Sequence, residues 1–185
     1  MTGMHHMLVH FPLALWALAA LMVLVGVCTR GAWGQISRSG LPAVLILAWL
    51  GALAAIVTGL LVWPTAANLS SPLTRNHLLM ALWATALWTV ITLLVWRGGA
   101  RAFSGGRGAV LLILALAGSG LFTLTGTLGG HLAGAPTPMS QLLERLGWSV
   151  YGTFYLPYWA LLLLVLLGGI CVVAGFRKED KGDRQ

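Results

Sequence analysis

Residues 109–131 read AVLLILALAGSGLFTLTGTLGGH, an apolar run with no charged residue before its closing histidine. About 20 such residues are needed for a helix to cross the hydrocarbon core of a bilayer. Comparable runs occupy residues 7–28, 42–63, 77–96 and 153–176. Over the 185 residues, 58% are hydrophobic and 8% are charged, whereas a soluble domain is about 25% charged. The sequence therefore predicts an all-α, polytopic membrane helix bundle, a single domain of five transmembrane helices over residues 1–176 with a polar tail at 177–185.

The basic residues predict how this bundle is oriented. The connectors 29–41 and 97–108 and the tail contain nine of the eleven lysines and arginines, whereas the other side has only Arg75 and Arg145. Because short loops rich in Lys and Arg stay in the cytoplasm, we expect the N-terminus outside and the C-terminus inside. The protein is then a multi-pass protein of the bacterial cytoplasmic (inner) membrane. The basic residues form no stripe with interleaved aromatic residues, so nucleic acid is not expected as a partner.

All five histidines fall at the predicted outer face. His5, His6 and His10 open the first span, His77 opens the third and His131 closes the fourth. His6 and His10 are four residues apart and share one helix face, while His5 points about 100° away and is expected to be solvated. Ionisable residues in membrane spans are costly and favour a functional interpretation. Histidines near the interface can also hydrogen-bond headgroups or water, which is the alternative.

Zinc, copper and haem are the candidate ligands for this histidine cluster. Zinc normally takes four ligands that often include thiolates or carboxylates, and the outer side offers only Glu144 among acids and no cysteine. Copper would use the histidines with the outer methionines, because thioethers suit Cu(I). Haem needs two imidazoles, a flat apolar surface and cations for its propionates. The haem b interpretation takes His10 with His77 or His131 as ligands of the metal, with His6 as a competitor.

The surroundings of the histidines predict the rest of a haem site. Arg75 or Arg145 would pair with a propionate. Gly126 and Gly130 form part of a small-residue ridge that would let a porphyrin approach the helix, or would serve close helix packing.

Punctuating residues predict smaller features. Pro12 and Pro42 are expected in or near first turns of helices, where a missing N–H costs least. Residues 137–147 predict a short surface helix with Thr137 as its cap, Pro138 in its first turn and Gly147 at its end.

Three motifs carry a resemblance to a known family. The opening HHMLVHFPLALW is similar to the HPLLVHFPIAL-type start of a family of small bacterial integral-membrane proteins of unknown function, and RNHLLMALW and TLTGTLGGHLAG follow in the family's order. The resemblance covers roughly residues 5–134. It implies four spans, a histidine opening the third and a glycine pair closing the fourth. It also implies redox work, because members of the family occur beside or fused to Rieske and cytochrome c domains. The chain departs from the family at Met7, where proline is usual, and by its additional fifth span.

Together these observations predict a membrane-bound, cytochrome b-like electron-transfer subunit. It would pass electrons between quinol and a periplasmic or membrane redox partner, as a non-catalytic part of a larger respiratory complex. Two alternatives stay open: a cofactor-free structural subunit of such a complex, and a copper-binding membrane protein that faces the periplasm.

Overall fold

The computed structural model describes residues 2–62 and 69–153, together with Leu162 and Leu166. Within these residues the chain is helical and contains no strand. Five α-helices have both ends within the described residues, and a short 3₁₀ helix, Gly99–Phe103, joins the third of them to the fourth. Their bounds are α1, Thr2–Cys28; α2, Ala32–Val62; α3, Pro72–Gly98; α4, Gly105–Leu132; and α5, Pro138–Arg145.

Four of these helices are long and apolar enough to cross a membrane. Large apolar side chains also cover their outer surface, for example Leu21, Leu61, Ile113 and Leu116, each at least 60% exposed. An apolar surface of this extent suits lipid and would be unfavourable in water. The predicted membrane helix bundle is therefore confirmed for α1 to α4. The predicted fifth span at 153–176 and the tail at 177–185 lie outside the described residues, apart from Thr153, Leu162 and Leu166.

The helices extend beyond the apolar runs that predicted them. The largest difference is at α2, which begins at Ala32 rather than at residue 42, so Pro42 lies inside the helix. Pro12 likewise lies inside α1, and the expectation that both prolines occupy first turns is wrong. Proline is tolerated within membrane helices because neighbouring groups satisfy the freed carbonyl. Hydropathy detects the part of a helix that lies in hydrocarbon, and the backbone hydrogen bonding continues past it.

Successive helices are antiparallel, and an aromatic stack joins α1 to α3 at the centre of the bundle. Trp16 and Trp88 are 4% and 0% exposed. Their rings are stacked at 5.9 Å with planes 10° apart, and Phe122 of α4 lies 6.4 Å from Trp88. Small residues such as Ala48 of α2 and Ala115 of α4 complete this core. The buried aromatic rings thus fix how α1 and α3 approach one another.

One end of the bundle is basic. It carries the α1–α2 and α3–α4 connectors, with Arg30, Arg38, Arg97, Arg101 and Arg107, and is called here the arginine end. Arg38 hydrogen-bonds the carbonyls of Gly26 (2.6 Å) and Thr29 (2.9 Å). A helix leaves its last carbonyls without partners, so Arg38 of α2 satisfies those at the end of α1.

The short helix α5 matches its prediction closely. Thr137 is its N-cap and accepts a hydrogen bond from the Ser140 N–H, and Pro138 is its first residue. Gly147 follows the helix with φ +83°, a conformation that glycine adopts without strain. Leu143 is buried against the bundle, whereas Leu142 and Leu146 are exposed.

Candidate functional site

The end opposite the arginines is formed by the first turns of α1 and α3 and the last turns of α2 and α4. We call it the histidine end, because His5, His6, His10, His77 and His131 all belong to helix segments there. Contacts between helices verify the common level: His5 reaches Thr58 near the end of α2, and His77 reaches Thr125 in α4. The sequence prediction that the histidines share one end of the bundle is therefore confirmed.

His77 is held by the helix that follows it. Its Nδ1 lies 3.0 Å from the carbonyl oxygen of Thr125. A carbonyl can only accept, so Nδ1 carries the proton and the lone pair of the neutral ring is on Nε2. The ring also packs against Gly129, where an added Cβ would lie 3.1 Å from the imidazole Cε1. Gly129 thus leaves the space that the His77 ring occupies.

His5 is held in the same way by α2, and the expectation that it is solvated is wrong. Its Nδ1 lies 3.2 Å from Oγ1 of Thr58, whose hydroxyl donates to the Ala54 carbonyl at 2.9 Å. With the Thr58 proton assigned to the Ala54 carbonyl, the Thr58 oxygen accepts from His5 Nδ1, and this assignment leaves the lone pair of the imidazole on Nε2. The His5 ring packs against Gly59, where a Cβ would lie 2.9 Å from Cε1. His5 is half-buried because α1 turns this side toward α2.

His6 and His10 lie on the exposed side of α1. The Nδ1–H of His10 donates to the carbonyl of His6 at 2.6 Å. This bond is within one helix, so it fixes the His10 ring without bringing it to a neighbouring helix. Of the four histidines predicted as ligands, His77 is the one that hydrogen-bonds to a neighbouring helix in the described part of the chain.

His131 pairs with a tyrosine of the following segment. Its Nδ1 lies 3.0 Å from the hydroxyl of Tyr151, and the two rings meet edge to face at 5.4 Å. Its other nitrogen, Nε2, is buried and has no hydrogen-bond partner in the described part of the chain. A buried polar atom without a partner costs free energy, so His131 is a further nitrogen that a ligand could satisfy.

Arg75 and its neighbours connect the start of α3 to the turn at 149–153. Arg75 donates to the Thr153 hydroxyl at 3.0 Å, and the Asn76 side-chain amide donates to the Gly152 carbonyl at 2.6 Å. The Nε of Arg75 and the hydroxyl of Thr74 are buried and have no partner among the described residues. The guanidinium therefore keeps donor capacity for an anion.

The predicted glycine ridge divides into different roles. At Gly130 an added Cβ would lie 2.8 Å from the Ala135 carbonyl oxygen, so this glycine admits the connector that follows α4. At Gly126 a Cβ would meet only Leu13 of α1, at 3.8 Å, an ordinary contact. Close packing is thus the role visible at Gly130, and within α4 it is Gly129 that packs against a histidine.

In the described ranges, no group of three or more His, Cys, Asp or Glu side chains lies close enough together to hold a metal ion.

The match to a family model covers residues 2–135 and has the description predicted membrane protein (DUF2231). The chain belongs to this family. All of the described histidine end up to Ala135 lies within the match. Comparison with curated proteins and with solved structures gave no match. The predicted membership of a membrane-protein family of unknown function is confirmed.

Sequence reasoning missed His5, Thr58 and Gly129. The spacing of His6 and His10 suggested a shared face, but it does not show which face of α1 meets α2. The sequence contains a second helix with a histidine near its start, α3. A position-by-position comparison of the residues around His77 with those around His5 could have indicated which face of α1 is buried.

Proposed function

We propose that this protein is a membrane-bound, cytochrome b-like electron-transfer subunit that holds a haem b at the histidine end. The observation that carries the proposal is the hydrogen bonding of the imidazoles. His77 donates from Nδ1 to the Thr125 carbonyl of α4 and keeps the lone pair on Nε2, and the same tautomer of His5 would donate to the Thr58 hydroxyl of α2. Histidines that ligate metals usually bond in this way through their other nitrogen, which fixes the ring and its tautomer.

The residues around these imidazoles suit the other parts of a haem. The buried Nε of Arg75 and the hydroxyl of Thr74 have no partner in the described residues, and a propionate would accept from both. Buried polar groups are normally hydrogen-bonded, so unpaired donors on these two adjacent residues support an acceptor that would bind there. The bundle below is apolar, with Trp16 and Trp88 buried next to one another. When bound, the iron supplies a one-electron couple, and the protein sets its potential through ligand identity and burial.

The charge distribution supports an outer, periplasmic location for the histidine end and a cytoplasmic C-terminus. Arg30, Arg38, Arg97, Arg101 and Arg107 are all at the opposite end, which the positive-inside rule assigns to the cytoplasm. In the bacterial inner membrane, such a haem would exchange electrons with quinol in the outer leaflet and with a periplasmic or membrane redox partner. The protein would then serve a respiratory complex as a non-catalytic subunit.

The test is an absorption spectrum of the full chain purified in detergent, as isolated and after titration with haemin. We expect a Soret band that saturates at a fixed ratio of haem to protein and shifts on reduction with dithionite. A protein that is colourless and does not change the haemin spectrum would refute the proposal. Copper found in a constant ratio by elemental analysis of the colourless protein would support the copper alternative, and the absence of both would leave a structural subunit.

A further inference from the structure

The helices that begin at the histidine end, α1 and α3, share a sequence pattern. His5 is followed by Ala14, Leu15 and Trp16, and His77 is followed by Ala86, Leu87 and Trp88. Each residue of the first set lies 72 positions before its counterpart. The two tryptophans of these matching triplets are the pair that stacks in the core.

Burial follows the same register through both helices. The buried positions in α1 that precede Gly26 correspond, 72 residues on, to the buried positions of α3 that follow Asn76. The pairs are Pro12 with Ala84, Trp16 with Trp88, Ala19 with Ile91, and Val23 with Val95. Equivalent faces of α1 and α3 therefore point into the bundle.

The second helices of the two hairpins also correspond. Gly34 near the start of α2 and Gly108 near the start of α4 are buried and lie 74 residues apart. In each case an added Cβ would collide with the carbonyl of the residue five positions earlier, Thr29 or Phe103. The separation between matched residues is 72 in the first helices of the hairpins and 74 in the second helices. The two-residue difference lies in the connectors, and the α3–α4 connector contains the 3₁₀ helix.

Each hairpin holds its opening histidine against its second helix, although through different groups. The Nδ1 of His5 bonds to the side-chain hydroxyl of Thr58 in α2, and that of His77 bonds to the backbone carbonyl of Thr125 in α4. These two residues are 67 positions apart and are not matched by the spacing of 74. In both hairpins the ring packs against a glycine of the second helix.

We propose that α1–α2 and α3–α4 are two copies of one helical hairpin, related by a pseudo-twofold axis along the bundle. The matching histidines, His5 and His77, would then be the two residues that ligate the haem iron. This inference rests on the proposed haem-binding function. Both hairpins begin at the histidine end, so the duplication is parallel and places its equivalent imidazoles at the same depth. A haem iron that takes one nitrogen from each side fits a pair related in this way.

The other histidines have no counterpart in the duplication. The positions that match His6 and His10 are Leu78 and Leu82, and the position that matches His131 is Val57. The pair His5 and His77 therefore replaces the pairs built on His10 that the sequence suggested.

The test replaces single histidines by glycine in the full chain and titrates each purified variant with haemin. We expect the wild type to form a six-coordinate, low-spin haem. His5→Gly and His77→Gly should each lose the low-spin spectrum and gain a complex that binds carbon monoxide, and imidazole added to the buffer should restore the low-spin bands. His10→Gly, at an exposed histidine of α1, is the matched control and should keep the wild-type spectrum. His5→Gln and His77→Gln provide the same readout if a glycine variant fails to elute as a single species.

The outcomes separate this inference from the function on which it rests. A wild type that binds no haem refutes the proposed function. A wild type that binds low-spin haem, with unchanged spectra in His5→Gly and His77→Gly, refutes the ligand pair alone. If His10→Gly or His131→Gly loses the low-spin spectrum while His5→Gly keeps it, the histidine replaced in the affected variant is a haem ligand and His5 is not.

Discussion

Gly118→Ala tests whether the tryptophan stack governs the packing of the bundle. An added Cβ at this position of α4 would lie 2.8 Å from Nε1 of Trp88 and 3.1 Å from its Cε2. Trp88 is fully buried and cannot withdraw easily, because it is stacked on Trp16 at 5.9 Å and has Phe122 at 6.4 Å. Forcing an extra methyl group into a well-packed core costs about 1–3 kcal/mol.

The matched control is Gly120→Ala, two residues further along the same helix. A Cβ at Gly120 meets nothing within 4 Å. Alanine favours a helix over glycine by about 1 kcal/mol, and this gain applies to both variants. It therefore cancels when the two are compared, and Gly118→Ala should be less stable than Gly120→Ala by about 1–3 kcal/mol.

The measurement is reversible unfolding in mixed micelles, in which sodium dodecyl sulfate is titrated into protein in a mild detergent and helix content is followed by circular dichroism. The far-ultraviolet spectra of both variants before titration should equal that of the wild type. Equal midpoints for the two alanine variants, or a higher midpoint for Gly118→Ala, would refute the tight contact between Gly118 and Trp88.

Two further variants examine single hydrogen bonds. Thr58→Val removes the hydroxyl that bonds His5, and loss of such a bond behind a ligating histidine should weaken haem binding about 10–100-fold. The control, Thr85→Val, removes a hydroxyl bonded to its own helix and should leave the haemin titration unchanged. Equal haem affinities in the two variants would argue against a role for Thr58. Arg38→Ala removes two charged hydrogen bonds at the end of α1 and should lower the free energy of unfolding by about 1.5–3 kcal/mol. The control, Arg30→Ala, changes an exposed arginine and should have little effect in the same micelle titration. Similar midpoints for the two variants would show that the hydrogen bonds of Arg38 do not contribute to stability.

The sequence predicted the class of fold because apolar length decides it. Four runs of about 20 residues became four long helices, and the cap and stop signals of α5 were sufficient to place that helix. Helix bounds were less accessible. Nothing in the hydropathy of residues 32–41 shows that they continue the helix through Pro42, since backbone bonding there depends on neighbouring helices.

The orientation of each helix was the harder problem, and it decided the candidate site. In a soluble helix the apolar stripe marks the buried face, but a membrane helix is apolar on all sides. For this reason, periodicity did not show which of His5 and His10 lies against a neighbouring helix. Comparison of the two histidine-headed helices would have helped, because Trp16 and Trp88 occupy the same register relative to His5 and His77.

The parallel relation of the two hairpins has a consequence for energy conversion. A group held between His5 and His77 has one depth in the bilayer, whereas an inverted duplication would have produced sites at both surfaces. Electron exchange at a single depth, with donor and acceptor on the same side, moves no charge through the membrane. Such a step would not be electrogenic, and any contribution to the proton-motive force would have to come from where a quinol releases its protons.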